Sequence, residues 1–186
     1  ARLAGLPETL TEVPRQQGRL SLSVGVGGKA PQVDGTHSPG EWPTSDIAWA
    51  KLDARASATL RIVGDRLYAA WRTGDSAALA NATGEPKLIF KRGGAVDLMI
   101  ASDPTAKADR REPAVGDLRL IASMQGGKPT AVIYRAVVPK TAEADRVPFE
   151  SPVGRVVFDR VEVVSDKIRL AQREGDIELS IPLAVL

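Results

Sequence analysis

The 186-residue chain has no cysteine, which removes disulfides, thiolate metal sites and cysteine nucleophiles together. Its compartment stays open on that ground, because exported proteins also fold without disulfides. One histidine, His37, is present, so no two-histidine zinc motif can be built. Gly-x-Ser-x-Gly and His-Glu-x-x-His are both absent, and with them the common nucleophile-elbow and metalloprotease patterns. Aromatic residues make up only 4% of the chain, too few for a long flat platform of rings. No apolar run approaches the roughly 20 residues that cross a bilayer as a helix. Neither sign of charge dominates: 25 basic and 23 acidic residues are interspersed and leave a formal charge of +2. A nucleic-acid partner would need a concentrated basic stripe, whereas the densest charged run, "KADRRE" at 107–112, contains acids and reads as a solvated loop. The expectation is a non-enzymatic chain with no nucleic-acid partner and no membrane span.

Hydrophobic residues make up 43% of the sequence, enough for one domain with a core of its own. The opening, "ARLAGLPETL", lacks a methionine and an apolar signal region, and suits a start that is trimmed or internal to a longer protein. Residues 1–29 read as a lead-in whose "RLSLSV" (19–24) alternates as an edge strand does. The glycine-rich loop "GVGGKAPQVDG" at 25–35 lacks the Gly-Lys-Ser/Thr of a phosphate loop and reads as a turn. From residue 30 to 186 the chain reads as about ten short strands at sandwich spacing. They are placed at 57–64, 66–74, 86–90, 94–102, 116–125, 129–138, 154–164, 167–174 and 176–186, with a further strand around "DIAWAKLD" (46–53). Gly64-Asp65 and Gly126-Gly127 mark hairpins, and Ser165-Asp166 and Gly175-Asp176 read as turns. A turn or two of helix is predicted over 75–82. Alternation such as Leu118, Leu120 and Ala122 against Arg119 suits antiparallel sheets with one face in water. The fold class is therefore an all-β antiparallel sandwich.

Four blocks occur in order: Val33-Asp34-Gly35 with Glu41-Trp42, Leu67 to Asp75, Asp97 within "AVDLM", and Ile181-Pro182 to Leu186. Together they resemble the DOMON-like superfamily, most closely family 9-type carbohydrate-binding modules. The resemblance spans roughly residues 30–186 and implies a sandwich whose opening motif, Asp34, Gly35, Glu41 and Trp42, is structural. It also implies a module that holds one or two units of a poly- or oligosaccharide for a larger protein. The residues assigned to that grip are Trp49, Trp71, Arg72, Asp97, Arg119 and Tyr134, because aromatics stack on sugar C–H faces while carboxylates and guanidinium groups bond the hydroxyls. Family 9 modules grip sugar between two tryptophans, and the second has no clear counterpart here. Of the aromatics, Trp71 favours the core, whereas Trp49 reads as a half-exposed platform.

Other DOMON-like domains hold b-type haem through methionine with histidine or lysine. Met99 and Met124 are present, but alternation in "VDLMI" suits Met99 as a core filler and no histidine follows His37. No cofactor is expected beyond a structural calcium on loop acids such as Asp34, Glu41, Asp75 or Asp103. The alternatives to sugar binding are a ligand-free spacer that docks neighbouring domains and a haem-binding electron carrier. The lead-in, finally, is expected to pair antiparallel with a sandwich strand over residues 19–26, covering an open edge.

Overall fold

The computed structural model describes residues 24–45, 48–107, 109–151 and 154–186. Glycine-marked turns set the strand pairings. Gly126 and Gly127 both have positive φ, 55° and 77°, the conformation of a two-residue turn whose twist matches its strands. They join β7 (Asp117–Gln125) to β8 (Lys128–Arg135), with Gln125 opposite Lys128. Gly64-Asp65 likewise joins β3 (Ser57–Val63) to β4 (Arg66–Arg72). Between β12 (Arg169–Arg173) and β13 (Asp176–Pro182) the turn residues are Glu174 and Gly175, one position before the expected Gly175-Asp176.

Two sheets result. The first runs β1 (Gly25–Val26), β3, β4, β13, β12, with β2 (Ala50–Lys51) also on β3. The second runs β11 (Arg160–Val163), β8, β7, β5 (Ala80–Asn81), with β6 (Val96–Ala101) also on β7. A separate hairpin pairs β9 (Val147–Ser151) with β10 (Gly154–Phe158). The protein is an all-β sandwich. Among the described residues, no helix is long and apolar enough to cross a membrane.

Alternation decides what lies between the sheets. Leu67, Ala69 and Trp71 of β4 and Ile177, Leu179 and Ile181 of β13 face Leu118, Leu120 and Ala122 of β7 and Ala131 and Ile133 of β8. Side chains one residue out of phase point to the outer faces.

Several expectations are corrected. "PKLIF" is not a strand: Pro86–Leu88 forms a short 3-10 turn whose first amide is capped by the Glu85 side chain, since a leading proline with fixed φ favours a helical start. Residues 75–82 hold turns and β5 rather than helix. The single strand expected over 154–164 is two, because β10 turns away to pair β9 while β11 pairs β8. The lead-in does meet the sandwich, but Gly25 and Val26 run parallel to Arg61 and Ile62 of β3, not antiparallel. The rest of the expected strand, residues 19–23, lies outside the described residues, as do Asp46 and Ile47.

Candidate functional site

The two outer faces of the sandwich have opposite fates. On the first sheet, the outward side chains Thr59, Arg61 and Glu178 are polar, as if meant for water. Each instead bonds the 30–49 segment lying over them. Thr59 Oγ1 donates to Ala48 O (2.9 Å) and Arg61 Nη1 to Glu41 O (2.6 Å). The Glu178 carboxyl, wholly buried, accepts the Trp42 indole N–H at 2.6 Å on Oε1. Its Oε2 accepts the amides of Asp34 and Gly35 at 2.9 and 2.8 Å. Three donors thus converge on one carboxyl, which satisfies a group that would be costly to bury alone.

Gly35 makes this approach possible. Its φ is +84°, and a Cβ there would lie 2.8 Å from the Gln172 carbonyl carbon, so only glycine brings this backbone so close to β12. Asp34 Oδ1 meanwhile accepts the Thr36 amide at 2.9 Å, a local Asx turn. Asp34, Gly35, Glu41 and Trp42 therefore close one face of the sandwich.

His37 completes that seal. Its ring centroid lies 6.0 Å from Trp42 and 5.2 Å from Trp49. Its Nε2 sits 3.3 Å from Ile177 O, and its Nδ1 is 3.2 Å from Asp176 Oδ1 but off the line of a hydrogen bond. Trp49 is 4% exposed, not the half-exposed platform expected. Its indole N–H donates to Pro43 O at 2.9 Å, and the Arg72 guanidinium lies 3.8 Å from its ring centroid. A ring covered on both sides has no face left for a sugar.

The outer face of the second sheet is only partly covered. Ile89 and Phe90 on one side and the β9–β10 hairpin on another pack over Ile121, Val132 and Tyr134. Tyr134 is 1% exposed and its hydroxyl donates to Lys87 O at 2.8 Å. Burial pushes its phenol well above the ordinary tyrosine range, so it stays a donor. Beside this aromatic cluster the sheet lies open as a groove of about 390 Å³, lined in part by Met99, Ala101, Asp117, Arg119, Ala136 and Phe158. That volume suits a small ligand. The ladder explains the floor: Met99 pairs Arg119, which pairs Tyr134, and Ala101 pairs Asp117. Met99 is 78% exposed, so the expectation of a core filler is corrected; Val96, Leu98 and Ile100 take the inner face instead.

Two ion pairs flank the groove. Arg110 grips both carboxyl oxygens of Asp117, with Nη2 2.5 Å from Oδ1 and 2.7 Å from Oδ2. The Ala114 amide adds a bond to Oδ2 at 2.8 Å, and Arg110 Nη1 donates to Lys107 O at 2.8 Å. This pair braces the 102–116 loop. The Arg110 side chain, followed by the Ala114 amide, holds the Asp117 carboxyl below the usual carboxylate range. A depressed carboxyl stabilises the fold fully above its unfolded pKa, near 3.9, and that contribution fades as pH falls through its folded value. Melting curves recorded between about pH 2 and pH 5 are therefore expected to fall less steeply with acid in Asp117→Asn than in the parent protein. Parallel curves would show that the brace carries no stability.

The second pair is less complete. Arg119 Nε and Nη2 both donate to Asp97 Oδ2, at 2.8 and 2.5 Å. Among the described residues, Asp97 Oδ1 and Arg119 Nη1 have no protein partner.

The six residues assigned to a sugar grip therefore do not converge. Trp71 lies between the sheets, Trp49 and Arg72 meet on the sealed face, and Asp97, Arg119 and Tyr134 gather on the open face. The acids considered for calcium serve their own turns: Asp34, Asp75 and Asp103 cap Thr36, Ala77 and Thr105, and Glu41 accepts the Gln32 amide. Among the described residues no group of three ligating side chains gathers. Met124 packs against the core, far in environment from exposed Met99. Glu178 and Phe158 went unassigned in the sequence. Glu178 left one trace, an acid on the outward phase of "IELSI", between the inward Ile177 and Leu179. The chain matches no protein-family model, no curated protein and no solved structure.

Proposed function

We propose that this protein is a non-catalytic binding module of a larger exported protein, and that it holds one or two sugar units in the groove on the second sheet. The observation that supports this reading is the half-used Arg119–Asp97 pair beside an apolar floor of Met99, Ala136 and Phe158. A pyranose ring has the matching character, with C–H faces for the floor and hydroxyls for the charged edge. The tryptophans play no part in the grip, because they are spent on the core and the sealed face. This moves the binding role from Trp49, Trp71 and Arg72 to the Asp97, Arg119 and Tyr134 side.

Titration of isotope-labelled protein with neutral oligosaccharides should shift amide resonances of β6, β7 and the Phe158 region. Arg119→Ala should weaken that binding at least about tenfold with an unchanged melting temperature. If no sugar binds at millimolar concentration, or if shifts map instead to Trp49 and Arg72, the assignment is wrong.

A further inference from the structure

We infer that the groove selects uncharged ligands carrying neighbouring hydroxyls, and that Asp97 sets this choice by occupying Arg119; the inference rests on the sugar-binding reading above. The two ion pairs at the groove differ in a way that bears on recognition. Arg110–Asp117 is saturated: both carboxyl oxygens and Nη1 of the arginine have protein partners. Arg119–Asp97 is not, because both arginine bonds end on the single oxygen Oδ2. The pair keeps one strong acceptor, Oδ1, and one strong donor, Nη1, on side chains about a third exposed, 35% and 36%.

A donor and an acceptor held together on one ion pair match two adjacent hydroxyls. One hydroxyl donates to Oδ1 while its neighbour accepts from Nη1. Bonds to charged partners are the stronger kind, and the pair is already oriented, so little side-chain freedom is lost on binding.

Charge decides against anions. The charged side chains lining the groove are Arg110, Asp117 and Arg119; Asp97 stands beside it on Arg119, so each arginine is matched by an aspartate. An incoming carboxylate would have to displace Asp97 from Arg119 or lie beside it, and like charges brought together oppose binding. Replacing Asp97 with asparagine keeps the shape, removes the competing charge and frees Arg119. The groove then carries a net positive charge and suits an anion.

The test compares the protein with Asp97→Asn by isotope-edited NMR titration. Neutral probes are the methyl glycosides of glucose, galactose and mannose. Anionic probes are the methyl glycosides of glucuronic and galacturonic acid, and tetrahydropyran-2-methanol supplies the ring without a hydroxyl pair. Asp97 is exposed on strand β6, so the variant should fold, and unchanged spectra for the core residues check this. The parent protein is expected to bind at least one neutral glycoside about tenfold more tightly than its uronic counterpart and the tetrahydropyran, and Asp97→Asn is expected to reverse the neutral-to-anionic order. A parent protein that prefers the uronic glycoside, binds the tetrahydropyran equally well, or keeps its order in Asp97→Asn overturns the inference and leaves sugar binding standing. Silence from every probe in both proteins removes the sugar-binding reading and the inference together.

Discussion

Glu178→Ala should lower the free energy of unfolding by about 4 kcal/mol, the largest effect expected of any single change outside the main core. The carboxyl is wholly buried and accepts three hydrogen bonds. Its removal orphans the Trp42 indole N–H and the amides of Asp34 and Gly35. Each buried donor left without a partner costs about 1–3 kcal/mol; partial relaxation and entry of water keep the total below the sum. Two companions separate the parts. Glu178→Gln keeps the shape but turns an amide N–H₂ toward one of the donors, and about 2 kcal/mol should be lost. Trp42→Phe keeps an aromatic ring and removes one donor; a double-mutant cycle with Glu178→Gln should show coupling of about 1 kcal/mol or more. Urea unfolding monitored by tryptophan fluorescence gives the values. A loss below about 1 kcal/mol in Glu178→Ala would mean that the 30–49 segment is not held on the sheet through this carboxyl.

The second large effect is at Trp71, where Trp71→Ala should cost about 3–5 kcal/mol, as for other large aromatic deletions in cores. Trp71 is 4% exposed and lies between the sheets, in a layer that includes Ala69, Ala122 and Ala131. Such small neighbours leave room for an indole between facing sheets, and the same small neighbours cannot expand to refill the space once it is gone. The midpoint of thermal unfolding should fall by roughly 10 °C for a chain of this size. Sugar titrations of the folded fraction should keep their affinity. A variant with an intact melt and lost binding would return Trp71 to the ligand site.

These two residues also show how far local sequence carries. Trp71 sits on the apolar phase of β4 with Leu67 and Ala69, so its place between the sheets follows from alternation. Glu178 sits on the opposite phase of β13, where the same rule expects water, and the rule fails because a loop more than 130 residues earlier in the chain lies over it. Trp49 and Tyr134 fail for a related reason. Both are covered by residues that are not their neighbours in the chain: His37 and Arg72 lie against Trp49, and Phe90 with the β9–β10 hairpin packs over Tyr134. Met99 fails in the reverse direction, because in "VDLMI" it shares the outward phase of Asp97 while Val96, Leu98 and Ile100 face in.

By itself the sequence determined most of the strands and their turns and the composition of the inner layer. Those depend on φ and ψ preferences and on side-chain phase, which neighbouring residues settle between themselves. It also determined that no thiol or paired-histidine chemistry is available. The tertiary structure alone decided which outer face is sealed and which stays open, that Asp34-Gly35 and Trp42 meet at Glu178, and that Arg119 and Asp97 stand together with one donor and one acceptor unused. Coverage of an outer face is a contact between segments far apart in the chain, and its stability comes from buried area and satisfied polar groups that exist only once both segments are in place.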